Sequence, residues 1–225
     1  MLSKKSKNGD NGNGSVKIEA KNERQQELID SIFKNQMTVT TGFPGTGKTY
    51  IPAALAAQAL LKGKISKIIL TRPNVPAGEK LGYKPGGLYE KLDEWFTEIY
   101  KIMGEHIGFD TLEAEVNFGN IELVPFETMR SRSFNNGFVL LDEAQNVKPH
   151  QMKMFVTRIG EAKVVVNGDV MQSDLNHKSG LQTAIEIIRK YNMDIPIIEF
   201  DENDIVRSGL CKEWIVNFLD YERSK

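Results

Sequence analysis

Short apolar segments recur along the chain and predict buried β-strands. Each is a continuous run of aliphatic or β-branched residues rather than an alternation with polar residues, which is typical of strands covered on both faces. The predicted strands are Met37–Thr41, Lys67–Thr71, Ile121–Val124, Phe138–Leu141, Val164–Val166 and Ile195–Ile198.

Segments with helical periodicity lie between these strands. In Glu23–Phe33, for example, Leu28, Ile29 and Ile32 fall on one face of a helix. Strands that alternate with helices predict an α/β fold, in which helices flank a parallel sheet. The other predicted helices are Tyr50–Leu61, Leu88–Met103, 150–159 and 178–190.

Composition predicts a single domain behind a polar tail. The 225 residues, 40% hydrophobic and 26% charged, suit one hydrophobic core. Residues 1–17 are rich in Lys, Asn and Gly and have too few apolar side chains to join that core, so we expect a disordered, weakly basic tail. The domain is predicted to span 18–225.

The chain has the features of a cytoplasmic protein. No apolar run approaches the roughly 18 residues that span a bilayer, and the N-terminus lacks the apolar core of a secretion signal. The one cysteine, Cys211, excludes an intramolecular disulfide and fits a reducing compartment. We expect Cys211 to be a small buried hydrophobic residue on a C-terminal helix.

The net charge argues against nucleic-acid binding driven by overall charge, and the spacing of the histidines argues against a histidine metal site. Lys and Arg total 29 against 30 Asp and Glu, so any contact with nucleic acid must be local rather than driven by overall charge. The histidines, His106, His150 and His177, have no partners at metal-ligand spacing, and we expect them at the surface.

A phosphate-binding loop follows the first predicted strand and precedes a predicted helix. It reads Gly42-Phe43-Pro44-Gly45-Thr46-Gly47-Lys48-Thr49, which fits the pattern G-x-x-x-x-G-K-[ST]. Its backbone N–H groups and those of Tyr50, at the helix N-terminus, can surround a di- or triphosphate. Lys48 supplies a positive charge for the β- and γ-phosphates, and the Thr49 hydroxyl is a predicted Mg²⁺ ligand.

Two adjacent carboxylates end the strand Phe138–Leu141, as in a Walker B element. Asp142 is predicted to hold Mg²⁺, directly or through water, and Glu143 to orient or deprotonate the attacking water. Because nucleotide binding alone does not need the second carboxylate, the pair favours hydrolysis.

A third strand end and several arginines complete the candidate chemistry. Gln172 follows the strand Val164–Val166 and offers an amide that can sense the γ-phosphate or the attacking water, although a simple polar turn explains the same residues.

A cation beyond the loop lysine usually stabilises the transferred phosphoryl group. Arg207 and Arg158 are the first candidates for that role, and surface ion pairs are the alternative.

The order of these motifs resembles the PhoH family over about residues 20 to 220. The similarity rests on the phosphate loop and on further segments: Thr71-Arg72-Pro73, Ala77 to Gly82, Met129 to Phe134, Leu141 to Asn146, Gln151 to Gly160 and Gly168 to Asp174. The resemblance implies a P-loop ATPase core similar to that of superfamily 1 helicases, of the RecA-like type. It further implies ATP and Mg²⁺ as ligands, a cytoplasmic location, and a homo-oligomeric ring such as a hexamer.

The resemblance also assigns expected roles to individual residues. Gln172 matches the sensor glutamine, and Gln25 or Gln26 resembles the glutamine that reads adenine in such helicases, with both positions open. Thr71 and Arg72 look like the segment that touches single-stranded nucleic acid. Arg130 and Arg132 form an expected second contact.

Two functions of different classes follow from the sequence. The first is an ATP-hydrolysing, helicase-like protein that acts on single-stranded RNA or DNA. The alternative is a nucleotide-controlled oligomer or adaptor that moves no strand, which the near-neutral charge favours. A small-molecule kinase is a weaker third reading, because no acceptor-binding lid is visible.

Overall fold

The computed structural model describes residues 17–73, 88–170 and 178–224, which form an α/β fold. The predicted tail, the segment 74–87, His177 and Gln172 lie outside this part of the chain. The strands are β1 Met37–Gly42, β2 Ile68–Arg72, β3 Ile121–Pro125, β4 Phe138–Leu141, β5 Lys163–Asn167 and β6 Ile197–Phe200. The helices are α1 Glu23–Lys34, α2 Tyr50–Leu61, α3 Leu88–Ile107, α4 Phe109–Asn117, α5 Pro149–Val156, α6 Gly180–Lys190 and α7 Gly209–Arg223.

The six strands form one sheet in the order β3-β2-β4-β5-β1-β6, and every neighbouring pair is parallel. The predicted parallel sheet is therefore confirmed. In such a sheet all carboxyl ends meet at one edge, where ligands bind. That edge carries the segments after β1, β2, β4 and β5, which hold most of the predicted chemistry.

Two apolar layers hold the helices against the sheet. On one face, side chains of α1 to α4 pack on residues such as Leu70 and Leu140. On the other face, α5, α6 and a 3-10 helix at Phe126–Ser131 pack on residues such as Val139 and Val166. Burial on both faces explains why the central strands read as continuous apolar runs.

The structure corrects several predicted boundaries. Helix α3 continues four residues past Met103, and the short helix α4 was not predicted. Strand β6 begins at Ile197 rather than Ile195. Proline has no amide hydrogen for a strand ladder, and Pro196 contributes only its carbonyl, which accepts a bond from the Val39 amide.

Helix α7 leaves its large apolar side chains exposed. Leu210, Trp214, Phe218 and Tyr221 are each more than half exposed. Cys211 is likewise exposed, so the expectation of a buried cysteine is wrong. Among the helices that the structure describes, none is both long and apolar enough to cross a bilayer.

Candidate active site

The phosphate loop makes a tight turn between β1 and α2. Gly42, Gly45 and Gly47 have φ angles of +118°, +75° and +92°, which favour glycine. A Cβ atom on Gly42 would lie 1.9 Å from the carbonyl oxygen of Phe200 in β6. These glycines therefore let the backbone wrap in front of the α2 N-terminus, the arrangement that binds phosphate groups.

Lys48 lies within the loop that it is predicted to serve. Its Nζ donates to the carbonyl of Gly42 at 2.6 Å and also to that of Phe43. The Thr46 hydroxyl donates to the same Phe43 carbonyl at 2.9 Å, which closes the loop. Burial lowers the pKa of the Lys48 ammonium, and nearby carboxylates oppose that shift. An anion in the loop would favour the charged form in the same way.

Oxygen and amide groups converge beside the loop at the predicted metal position. The Thr49 hydroxyl lies 3.3 Å from Asp142 Oδ1, and the Asn167 amide donates to both, at 2.8 Å to the hydroxyl. Burial, followed by the charge of Glu143, raises the pKa of Asp142 to about 6. A hydroxyl and one carboxylate fit Mg²⁺, which takes few protein ligands besides water and substrate phosphates. In the described residues no cluster of three or more acidic, His or Cys side chains competes for this role.

Glu143 adopts a left-handed conformation, with φ of 52°, directly after β4. Its Oε2 accepts a hydrogen bond from the Gln145 amide at 2.6 Å, and its Oε1 lies 3.6 Å from the Arg72 guanidinium. Gln145 is buried, and its own oxygen accepts from the Asp169 backbone amide at 2.9 Å. The carboxylate is thus contacted at the carboxyl end of β4 from two sides, by Gln145 and by Arg72 at the end of β2.

Sequence reasoning missed the roles of Gln145, Asn167 and Asp169. All three lie at strand carboxyl ends and line the cavity. Their position at the carboxyl edge of the sheet indicated that they could line the site. Their contacts depend on how β4 and β5 align in the sheet, which cannot be read from the sequence.

These groups line a cavity of about 700 Å³, within the range of about 300–1,000 Å³ that is usual for small-molecule sites. Predicted residues in its wall are Gln25, Pro44, Gly45, Gly47, Lys48, Thr49, Tyr50, Asp142, Glu143 and Arg207. Lys17, Glu19 and Lys21, with Glu98, Lys101 and Glu105 of α3, add polar groups.

Of the two candidate glutamines, only Gln25 reaches the cavity. Its Nε2 donates to the Thr46 carbonyl at 2.8 Å, and its Oε1 accepts from the Lys21 backbone amide at 2.8 Å. Gln26 is exposed and donates to Asp30 on its own helix.

The expectation of surface histidines is wrong for His106. This side chain is buried, with its Nε2 atom 2.9 Å from the Tyr50 hydroxyl and its Nδ1 3.2 Å from the Gln58 amide nitrogen. Because an amide nitrogen only donates, Nδ1 of His106 accepts this bond. The ring proton is then on Nε2, which donates a hydrogen bond to the Tyr50 hydroxyl oxygen. His106 therefore links α3 to the start of α2, whereas His150 is exposed as predicted.

The two arginine candidates lie in different places. Arg207 is in the cavity wall over the loop: a Cβ atom on Gly45 would lie 2.7 Å from its Cγ, and the neighbouring Val206 amide donates to the Gly45 carbonyl at 3.0 Å. Arg158 is absent from the wall of this cavity, and its Nε donates to the Arg130 carbonyl at 2.8 Å.

The predicted nucleic-acid contacts differ in exposure and in their partners. Thr71 is fully buried, so its side chain is not accessible to a nucleic-acid strand. Arg72 is partly exposed beside Glu143. Arg130 is exposed. Arg132 pairs with Glu122, near the amino end of β3.

Comparison with known proteins places this sequence in a family. The family model described as "PhoH-like protein" matches residues 17–220. A PhoH-like protein of Bacillus subtilis is 43% identical over 88% of this chain and 63% of its own length. Protein PhoH of Escherichia coli K12 is 42% identical over 87% of this chain and 56% of its own length. The chain thus spans less than two thirds of these relatives.

The fold recurs in solved structures with little sequence identity. A Sulfolobus solfataricus SWI2/SNF2 ATPase core, solved in complex with dsDNA, matches with a TM-score of 0.51 and 13% identity. The match covers 86% of this chain and 48% of that one. The likeness is one of P-loop architecture.

Proposed function

The chain belongs to the PhoH family, and on this premise we propose that it binds ATP together with Mg²⁺ and hydrolyses it. The observation that carries the proposal is the convergence of Lys48, Thr49, Asp142 and Glu143 on one cavity. These side chains come from two segments of the chain that are more than 90 residues apart, the phosphate loop and the end of β4, so their meeting is a property of the fold.

Each residue has a role that follows from its contacts. Lys48 is held among loop carbonyls, and phosphate oxygens would replace those carbonyls as its partners. Thr49 and Asp142 would hold Mg²⁺, which neutralises charge on the phosphates when it is bound. Glu143 orients the attacking water and accepts its proton, while the loop amides bind the phosphates.

The walls of the cavity suggest what binds beyond the phosphates. Gln25 is buried against the loop, and one hydrogen of its Nε2 remains for a base in addition to the bond with Thr46. Tyr50, the first residue of α2, also lines the cavity, and its ring is oriented by His106. We assign both to nucleotide binding.

Arg207 is the better supported of the two arginine candidates, since it lies over the loop of its own chain. Arg158 can serve only if it enters the cavity of a neighbouring subunit. Mixing inactive mutant with wild-type protein separates these cases. Arg207→Ala should lower activity in proportion to its share of the mixture, whereas a residue acting across an interface lowers it more steeply.

We further propose that ATP turnover is coupled to single-stranded RNA or DNA. Support comes from Arg72, a partly exposed cation at the strand edge beside the hydrolytic carboxylate. The net charge of −1 favours the alternative, a nucleotide-controlled oligomer or adaptor. Turnover that rises on addition of strand at low salt supports the first function. Unchanged turnover together with ATP-dependent light scattering supports the second.

Paired substitutions test the hydrolytic site. Lys48→Ala should weaken ATP affinity at least tenfold, because the cation of the loop is lost. Glu143→Gln should keep the affinity within about threefold and lower kcat by about a hundredfold or more, because the loop cation remains while the group that accepts the proton of the attacking water is lost. Calorimetry and phosphate release measure the two quantities. Equal loss of binding in both variants would contradict the assigned roles.

A further inference from the structure

Glu143 has two partners of different character, one for each carboxylate oxygen. Gln145 donates to Oε2 at 2.6 Å, and the guanidinium of Arg72 faces Oε1 at 3.6 Å. With both oxygens engaged, the carboxylate is restrained from turning one oxygen fully to a water. In this arrangement Glu143 lines the cavity, but its carboxylate is not free to orient toward the attacking water.

The Gln145 side of this arrangement is fixed. The amide is 2% exposed, and its oxygen accepts from the Asp169 backbone. A Cβ atom on Gly168 would come within 2.5 Å of that oxygen, so Gln145 is packed tightly against β5. A bond from so rigid a group is a constant feature of the site.

The Arg72 side is exchangeable. The side chains of Arg72 and Glu143 are 30% and 34% exposed, and their separation of 3.6 Å is that of a loose ion pair. Such partly exposed pairs are weak, because water and salt compete for both charges. A guanidinium binds a phosphate with two parallel hydrogen bonds, which makes phosphate a stronger partner than the distant carboxylate.

We propose that Arg72 is a positioning residue that restrains Glu143, and that a backbone phosphate of single-stranded nucleic acid takes over its guanidinium and releases the carboxylate for hydrolysis. This proposal rests on the proposed function. It assigns one residue to both strand binding and ATP turnover, so that the two processes are coupled through the Arg72–Glu143 contact. Because Glu143 and the phosphate compete for the same guanidinium, the ion pair also weakens strand binding slightly.

The strength of the ion pair sets the size of the effect. A partly exposed ion pair contributes at most about 1 kcal/mol, which limits the restraint to a change in rate of about two- to fivefold. Arg72→Ala should therefore raise kcat without strand by about that factor, leave the KM for ATP unchanged, and abolish further stimulation by strand. Arg72→Lys keeps the charge but not the paired hydrogen bonds, so it should show intermediate basal turnover and partial stimulation.

The experiment measures phosphate release with and without a saturating unstructured 20-mer, such as oligo(U) or oligo(dT), at low salt. Arg189→Ala is the matched control, because it also removes an arginine from a partly exposed pair, with Glu199 on β6, away from the cavity. It should reproduce wild-type turnover and stimulation. ATP binding by each variant, measured by calorimetry, shows that the fold is kept.

Each outcome bears on the proposal in one direction. Loss of basal turnover in Arg72→Ala, or full stimulation of that variant by strand, would overturn it. Wild-type turnover that no strand changes would overturn the exchange as well. Absence of any wild-type ATP turnover would be a failure of the proposed function itself, and is distinguished by the wild-type measurement alone.

Discussion

At the scale of single residues, Asp142 combines a structural cost with a predicted role. Its carboxyl group is buried beside Glu143, which raises its pKa from 3.8 to about 6. A folded-state pKa above the unfolded value means that the fold binds the proton more tightly. Stability contributed by this group is therefore complete below about pH 4 and is lost as the pH rises to about 6.

We predict that Asp142→Asn stabilises the protein at pH 7.5 in the absence of metal and nucleotide. The gain should be about 1–3 kcal/mol, because the amide has no charge to bury but can still accept from Asn167. Urea denaturation in EDTA at several pH values measures it, with the exposed Asp194→Asn as control. The advantage should grow from pH 4 to pH 6 and then level off. A gain independent of pH would contradict the assigned cause.

The choice between Gln25 and Gln26 shows how far sequence reasoning reached at this scale. Gln25 precedes Leu28, Ile29 and Ile32 by three, four and seven residues, so it shares their buried helical face. That periodicity was sufficient to select it. The ties from Gln145 to Glu143 and Asp169 were not available in the same way, because they depend on how β4 and β5 align.

At the scale of elements, α3 shows a similar lesson. His106 follows Met103, Ile99 and Phe96 by three, seven and ten residues, and all of these are buried. The apolar stripe of the helix therefore predicts a buried His106, whereas residue type alone suggested the surface. Helix α7 is the opposite case: an amphipathic pattern predicts an apolar face, but it does not say that this chain covers it.

We predict that His106→Ala lowers the free energy of unfolding by about 2–4 kcal/mol, because it removes a buried side chain and two hydrogen bonds between α3 and α2. Tyr50→Phe loses one of those bonds and should cost about 1 kcal/mol. Chemical denaturation followed by circular dichroism measures both. The control, His150→Ala, removes an exposed side chain and should change stability by less than about 0.5 kcal/mol. Equal effects at the two histidines would contradict the buried link.

At the scale of the whole molecule, the sequence predicted the architecture better than the surface. Continuous apolar strands that alternate with helices left few topologies open, and the strand-end motifs required the carboxyl ends to share one edge. The arginines were harder to place. Arg132 follows the 3-10 helix after β3, and its pairing with Glu122 draws it back toward the amino end of that strand.

The charge balance of the molecule determines how a strand should bind. With a net charge of −1 and Arg72 as the proposed contact, we expect strand binding to displace few counterions. We predict a shallow salt dependence, with log K falling by about 1–3 per unit of log salt concentration, since each phosphate on a single strand contributes about 0.7. Fluorescence anisotropy of a labelled 20-mer between low and moderate salt measures the slope. Arg72→Ala should reduce it by about 0.7 and Arg189→Ala should not, because only the first removes a phosphate contact. A slope steeper than about 5 would indicate an extended basic track and would remove Arg72 from its central place in strand binding.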